Sequence, residues 1–184
     1  MRIISGTARG TKLFTLEGLE TRPTLDRVKE AIFNIIQSQI RDAVVLDLFA
    51  GSGAIGLEML SRGAKKAILC DKSKSAMEII KKNIEKTHMA EKVKLYNLDF
   101  EKCIEKVKND KFDIIYLDPP YNTDYIMKSL NKILDLELMN SNGLIILETD
   151  DEKRILEDIK NIKVKIVDKR KYGRATIIFL KNDA

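Results

Sequence analysis

The chain is poor in the residues that carry much of enzyme chemistry. Among its 184 residues there is one histidine, His88, so a histidine-based triad or a histidine-rich metal site has little to draw on. The two cysteines, Cys70 and Cys103, sit on separate predicted elements and lack metal-ligand spacing. They read as small buried hydrophobes in a reducing cytoplasm, and no metal is expected. No apolar run approaches the ~20 residues of a membrane span. The opening, MRIISGTARG, lacks the apolar core of a signal peptide, so a cytoplasmic protein without a membrane partner is expected. No repeat, low-complexity tract or linker interrupts the chain. Proline is scarce as well: there are three, and two of them, Pro119 and Pro120, are adjacent.

What is present fits one domain with a sizeable core, since 44% of residues are hydrophobic and 33% charged. The formal net charge of +5 is weak evidence for a nucleic-acid partner, but its distribution says more. Residues 1–16 hold Arg2, Arg9 and Lys12 and no acid, and residues 163–174 hold six cations against Asp168 alone. Both ends are basic and the middle is balanced.

Residues 2–16 alternate weakly and predict a short β-hairpin or extended arm, so we divide the single domain into an arm, 1–23, and a catalytic core, 24–184. A helix follows from Thr24, with Leu25, Val28, Ile32, Ile35, Ile36 and Ile40 at helical spacing. Strands and helices then alternate. AVVLDLF, KAILCD, KVKLYNLD, FDIIYLD and GLIILET read as strands, each followed by a helical segment, and two last strands meet at Gly173. Continuously apolar strands alternating with helices predict a mostly parallel sheet covered on both faces. The closing pair predicts an antiparallel hairpin.

The segment VLDLFAGSGAIGLE, residues 45–58, runs from a buried strand through a glycine turn into a helix. Gly51, Gly53 and Gly56 satisfy G-x-G-x-x-G, and Asp71 ends the next strand, so a NAD(P) site is one reading. Asp47 precedes the turn. An acid there is awkward for a pyrophosphate and suits a cationic ligand. Asp47, Asp71, Asp99 and Asp118 each end one of the first four core strands, and ligands of open α/β sheets bind outside the carboxyl ends of strands. Four acids on one rim suit S-adenosylmethionine, which has an amino-acid tail, a sulfonium, a ribose and an adenine. Phe49, Ser52 and Gly53 in the turn, and Lys72 and Phe100 beside Asp71 and Asp99, complete the candidate cofactor residues. Helix capping is the plainer alternative for Asp71 and Asp99, since each precedes a helix.

The fourth strand ends in DPPY, Asp118 to Tyr121, which matches the [DN]-PP-[YFW] motif of amino-group methyltransferases. The Asp118 carboxylate and the Pro119 carbonyl can both accept from one exocyclic amine. The prolines fix the backbone that carries them. Tyr121 offers a flat face to a base taken out of its stack. A proline-terminated strand with a core tyrosine is the plain alternative.

The whole chain resembles the RsmD family, bacterial methyltransferases that modify guanine N2 in small-subunit (16S) ribosomal RNA. RIISGTARGTKL, TRPTLDRVKEAIFN, VLDLFAGSGAIGLE and DPPY carry the resemblance, in that order. It implies a class I, Rossmann-like methyltransferase sheet of seven strands, the last antiparallel, and action on 16S rRNA within the small subunit or a late assembly intermediate; a monomer is expected. It implies that Asp47, Gly51 and Gly53 face the methionine part of S-adenosylmethionine, Asp71 the ribose and Asp99 the adenine. Asp118, Pro119, Pro120 and Tyr121 would hold the guanine. Arg9, Gly10 and Lys12 would face RNA, with Arg22 near the active site and Lys171 and Arg174 at the basic end. Three other functions compete: an adenine-N6 methylase of DNA or RNA, a NAD(P)-dependent oxidoreductase, and a non-catalytic RNA-binding assembly factor.

Overall fold

The structure, a computed structural model, describes residues 1–16 and 23–183, leaving aside the side chains of 23–25. Seven strands form one sheet: β1 (Val44–Asp47), β2 (Lys66–Cys70), β3 (Val93–Tyr96), β4 (Phe112–Leu117), β5 (Met139–Thr149), β6 (Val164–Tyr172) and β7 (Ala175–Asn182). Their order is β3-β2-β1-β4-β5-β7-β6, and β7 alone runs against its neighbours. The helices are α1 (Pro23–Ile40), α2 (Ala54–Ser61), α3 (Lys74–Thr87), α4 (Phe100–Lys106), α5 (Tyr125–Asp135) and α6 (Glu152–Asp158).

Successive side chains of a strand point to opposite faces, and here both faces are covered. Val45, Ile114, Tyr116 and Ile146 pack with α1, α2 and α3, through Ile32, Phe33, Ile36, Leu57 and Ile80. Leu46, Ile115, Leu117, Ile145 and Leu147 pack with α4, α5 and α6, through Cys103, Ile104, Leu130, Ile133 and Ile155. That is why the central strands read as nearly unbroken apolar runs. Because β1 to β5 are parallel, their carboxyl ends share one edge. The last two strands form the expected hairpin, with Tyr172 opposite Ala175.

The N-terminal arm departs from a regular hairpin. It closes with one antiparallel bridge, Arg2 to Lys12. Backbone bonds such as Ile3 N–H to the Thr11 carbonyl and Leu13 N–H to the Met1 carbonyl join its two limbs, and several other backbone groups are satisfied by distant side chains. The N–H groups of Ile4 and Ser5 donate to Glu58 at 2.8 and 3.0 Å. That of Ala8 donates to Ser61 Oγ, and Asn83 takes both the N–H and the carbonyl of Phe14. A Cβ on Gly6 would lie 1.8 Å from the Ser61 carbonyl oxygen, so only glycine fits this docking. Ile3 and Leu13 are buried in the core. The arm is thus sealed onto α2 and α3. Among the described residues no helix is long and apolar enough to cross a membrane.

Candidate active site

The carboxyl edge of the sheet carries an acid at the end of each of its first five strands. Asp47 closes β1 and is buried, with Phe49 N–H donating to it at 3.3 Å. Burial pushes its carboxyl up to about 7; the Phe49 bond opposes this and the charge of Asp71 adds to it. Asp71 follows β2 and accepts from the N–H groups of Gly51 and Ser73, both at 2.9 Å. It therefore fixes the glycine turn. There Gly51 and Gly53 have φ of 57° and 78°, a left-handed conformation that favours glycine. Space is open beyond Gly51, where an added Cβ would meet nothing within 4 Å. Asp99 is the N-cap of α4, accepting from Lys102 N–H at 3.0 Å, so its capping role is real.

Asp118 follows β4. It is open to the solvent of the cleft, while protein crowds its remaining sides. That crowding raises its pKa well above the ordinary carboxylate range, with the charges of Glu148 and Asp47 adding to the effect. Pro119 is buried, and Tyr121 is 49% exposed, an unusual state for so large a ring. The loop leaves through Asn122 at φ 58° and is tied by Thr123 Oγ1 donating to the Pro120 carbonyl at 2.8 Å and by Arg154 donating to the Thr123 carbonyl.

These elements enclose a cleft of about 750 Å³. Phe49, Gly51, Asp71, Lys72, Asp99, Phe100 and all four residues of the DPPY motif line it. A smaller cavity of about 190 Å³ adjoins it, lined by Asp47, Ser52, Met1 and Lys29. Phe49, Gly51, Asp118 and Glu148 border both. Gly53 lies buried behind the turn, at the start of α2. The predicted cofactor and clamp residues are therefore brought together at one edge.

The basic residues are placed differently. Arg9, Gly10 and Lys12 are exposed on the arm and border neither space; the arm's contribution is Met1. Lys171 and Arg174 flank the β6–β7 turn beside Asp150 and Lys153. Burial, then Glu148, Asp118 and Asp150, raise the Tyr121 phenol, and the Arg174 guanidinium pulls the other way. The hairpin tip is thus within electrostatic reach of Tyr121. Arg22 lies outside the described residues.

Sequence reasoning missed three residues here. Glu148, one residue before the end of β5, accepts from the Tyr116 hydroxyl at 3.2 Å. Tyr125 joins Phe49 and Phe100 in an aromatic wall, with centroids 6.3 and 4.8 Å away. Lys29, on α1, reaches the cavity while paired with Glu58 at 3.3 Å. Among the described residues no cluster of metal-ligating side chains forms.

A cleft with an aromatic wall, acids at intervals and an open glycine turn can hold a nucleoside carrying a cationic tail. Its far end meets the DPPY loop, which can hold an amine. Comparison with known proteins agrees. Residues 1–181 match the family described as conserved hypothetical protein 95. Ribosomal RNA small subunit methyltransferase D of Haemophilus influenzae is 36% identical over 160 residues, spanning 85% of this chain and 82% of that protein. The protein of the same name from Escherichia coli K12 is 35% identical over 152 residues, spanning 83% and 76%. The solved structure of Escherichia coli yhhF superposes with a TM-score of 0.86 and 31% identity, over 100% of this chain and 98% of that one.

Proposed function

The chain belongs to the family described as conserved hypothetical protein 95, the RsmD family, and on that premise we propose that it methylates the exocyclic N2 amine of a guanine in small-subunit ribosomal RNA. Its activity is that of an rRNA methyltransferase with S-adenosylmethionine as donor. The observation that carries the finer reading is the DPPY loop, whose Asp118 and Pro119 border the same cleft as the glycine turn.

Bound S-adenosylmethionine supplies a methyl group on a positively charged sulfur. Asp47 and the turn at Gly51 would hold the cationic amino-acid tail, Asp71 the ribose hydroxyls and Asp99 the adenine amine. Phe49, Phe100 and Tyr125 would give the adenine an apolar wall. At the other end Asp118 and the Pro119 carbonyl accept the two amine hydrogens and so aim the nitrogen lone pair across the cleft. Tyr121 stacks on the flipped base. With the sulfur–methyl bond broken and a neutral thioether as leaving group, the methylated nitrogen would carry an acidic proton, and Asp118 is placed to take it. Arg9, Gly10, Lys12, Lys171 and Arg174 are the exposed cations and turn that would meet RNA phosphates, in a salt-dependent way; Arg22 belongs with them by family resemblance.

The test is methyl transfer from labelled S-adenosylmethionine to small subunits lacking native methylation, followed by digestion to nucleosides and mass spectrometry. One new N2-methylguanosine is expected. N6-methyladenosine, or no product despite cofactor binding, would overturn the guanine reading.

Cofactor binding carries its own prediction. A cationic ligand binds the ionised form of Asp47, whose carboxyl sits at about 7. The dissociation constant should therefore rise by up to about tenfold per pH unit below that point, with proton release on binding. The sign for the free protein is opposite to that of a salt-bridged acid. A carboxyl raised on folding makes stability fall as pH rises from about 4 toward 7, and bound cofactor offsets this. Calorimetry from pH 6 to 7.5 in two buffers checks both points. Asp47→Asn should bind about 10-fold or more weakly, with the pH dependence gone.

A further inference from the structure

β4 and β5 are parallel neighbours with Leu117 opposite Leu147, so Asp118 and Glu148 are the next pair in register. Tyr116 and Ile146 face α1, and residues two positions on share that face. The two carboxylates therefore stand side by side at the junction of the cleft and the smaller cavity, which both of them border. The Tyr116 hydroxyl holds one Glu148 oxygen at 3.2 Å. Among the described residues no ion pair involves either acid. Lys29, the cation bordering the cavity, is committed to Glu58 and to the Arg2 carbonyl.

Two adjacent acceptors without a cation call for a ligand edge with adjacent donors. The bases differ in this respect. On the Watson–Crick edge of guanine, N1–H and the N2 amine are donors side by side. In adenine and in cytosine the amine lies next to a bare ring nitrogen, an acceptor that would face a carboxylate. A site built to receive a donor rejects an analogue lacking it, because its own polar groups are left unpaired.

We propose that Glu148 accepts the N1–H of the target guanine while Asp118 and the Pro119 carbonyl hold its N2 amine, so that Glu148 selects guanine over the other amino-bearing bases. This rests on the guanine-N2 reading above and assigns its specificity to a residue outside the DPPY motif. Tyr116 is then a positioning residue, acting through Glu148.

The discriminating substrate is one in which the methylated guanosine is replaced by 2-aminopurine riboside. It keeps the 2-amine but has no hydrogen on N1. The wild type should prefer guanine by about 100-fold or more in kcat/KM. Glu148→Gln can still accept from Tyr116 through its amide oxygen and offers N1 an NH₂ donor. It should lose about 100-fold on guanine and bring the two substrates within about fivefold of each other. The missing O6 of 2-aminopurine is common to both enzymes, so the change in the ratio is the readout, and a merely structural role would not move it. Unaltered S-adenosylmethionine binding by calorimetry certifies the fold of the variant. If the wild type makes N2-methylguanosine and Glu148→Gln keeps the wild-type ratio, the proposal falls alone. If the wild type methylates adenine or cytosine instead, the guanine reading falls and takes the proposal with it.

Discussion

Asp118→Ala should lower kcat by about 10³-fold while S-adenosylmethionine binds within about threefold of wild type. The proposed clamp has two acceptors, and the Pro119 carbonyl belongs to the backbone, so alanine removes the only one that a side chain supplies. The amine then rotates freely, its lone pair returns to the ring, and the departing proton loses its acceptor. Asp118→Asn retains an acceptor oxygen without the charge and should lose roughly 10- to 100-fold. The pH profile separates charge from geometry. Crowding, with Glu148 and Asp47 nearby, raises the Asp118 carboxyl well above its ordinary range. The acidic limb of the wild-type rate profile should lie correspondingly high, and the asparagine variant should lack that step. Folding should not suffer. A carboxyl whose pKa is raised on folding costs stability once ionised, so Asp118→Ala should melt at or above the wild-type temperature at neutral pH. Single-turnover kinetics and thermal melts check these outcomes. A variant with full methyl transfer would remove Asp118 from the clamp.

What the sequence made legible follows from short-range rules. Strands such as FDIIYL are apolar at every position but one, Asp113, because both faces are covered, and that pattern needs no tertiary knowledge. The acids after them could be placed on one edge because parallel strands end together. Glu148 was within reach of the same rule but stands one residue before the end of its strand, so an acid-after-strand search passes over it. Asp99 shows the opposite case: its capping of α4 was visible locally, and the structure adds its place in the cleft. The docking of the arm was not legible. Its partners Glu58, Ser61 and Asn83 lie more than fifty positions away, and no periodicity links a backbone N–H to a distant side chain. One signal was available. Glu58 is the lone charge in AIGLEMLS, a helix apolar but for it and Ser61, and a buried charge must have partners somewhere.

That partner set makes Glu58→Ala the most damaging substitution for stability, with an expected loss of about 3–5 kcal/mol. The Glu58 side chain is 0% exposed. It accepts from Ile4 N–H, Ser5 N–H and Arg62 Nε at 2.8, 3.0 and 2.9 Å, and pairs with Lys29 Nζ at 3.3 Å. Alanine orphans two backbone donors at once and leaves the Lys29 ammonium with only the Arg2 carbonyl, at 2.9 Å. Burial already lowers the Lys29 pKa, and Glu58 is the chief influence opposing it. Without Glu58, Lys29 must shed its proton or pull out into water, and either course loosens α1 from the arm. A loss of this size is a large share of the ~5–15 kcal/mol that holds a typical domain together, and should lower the melting temperature by about 10 °C or more. Lys29→Met offers a control. If the damage comes mainly from an unpaired buried charge, Glu58→Ala/Lys29→Met should recover about 1–2 kcal/mol of the single-variant loss. If it comes mainly from the orphaned N–H groups, the double variant should be no better than Glu58→Ala alone. Urea denaturation of the four proteins decides between them. Arm and cavity are coupled through Met1 and Lys29, which border the space around Asp47 and Asp118. The folded fraction of Glu58→Ala should therefore show a raised KM for the small subunit, whereas a wild-type KM in that fraction would mean that the arm seals the core without shaping the site.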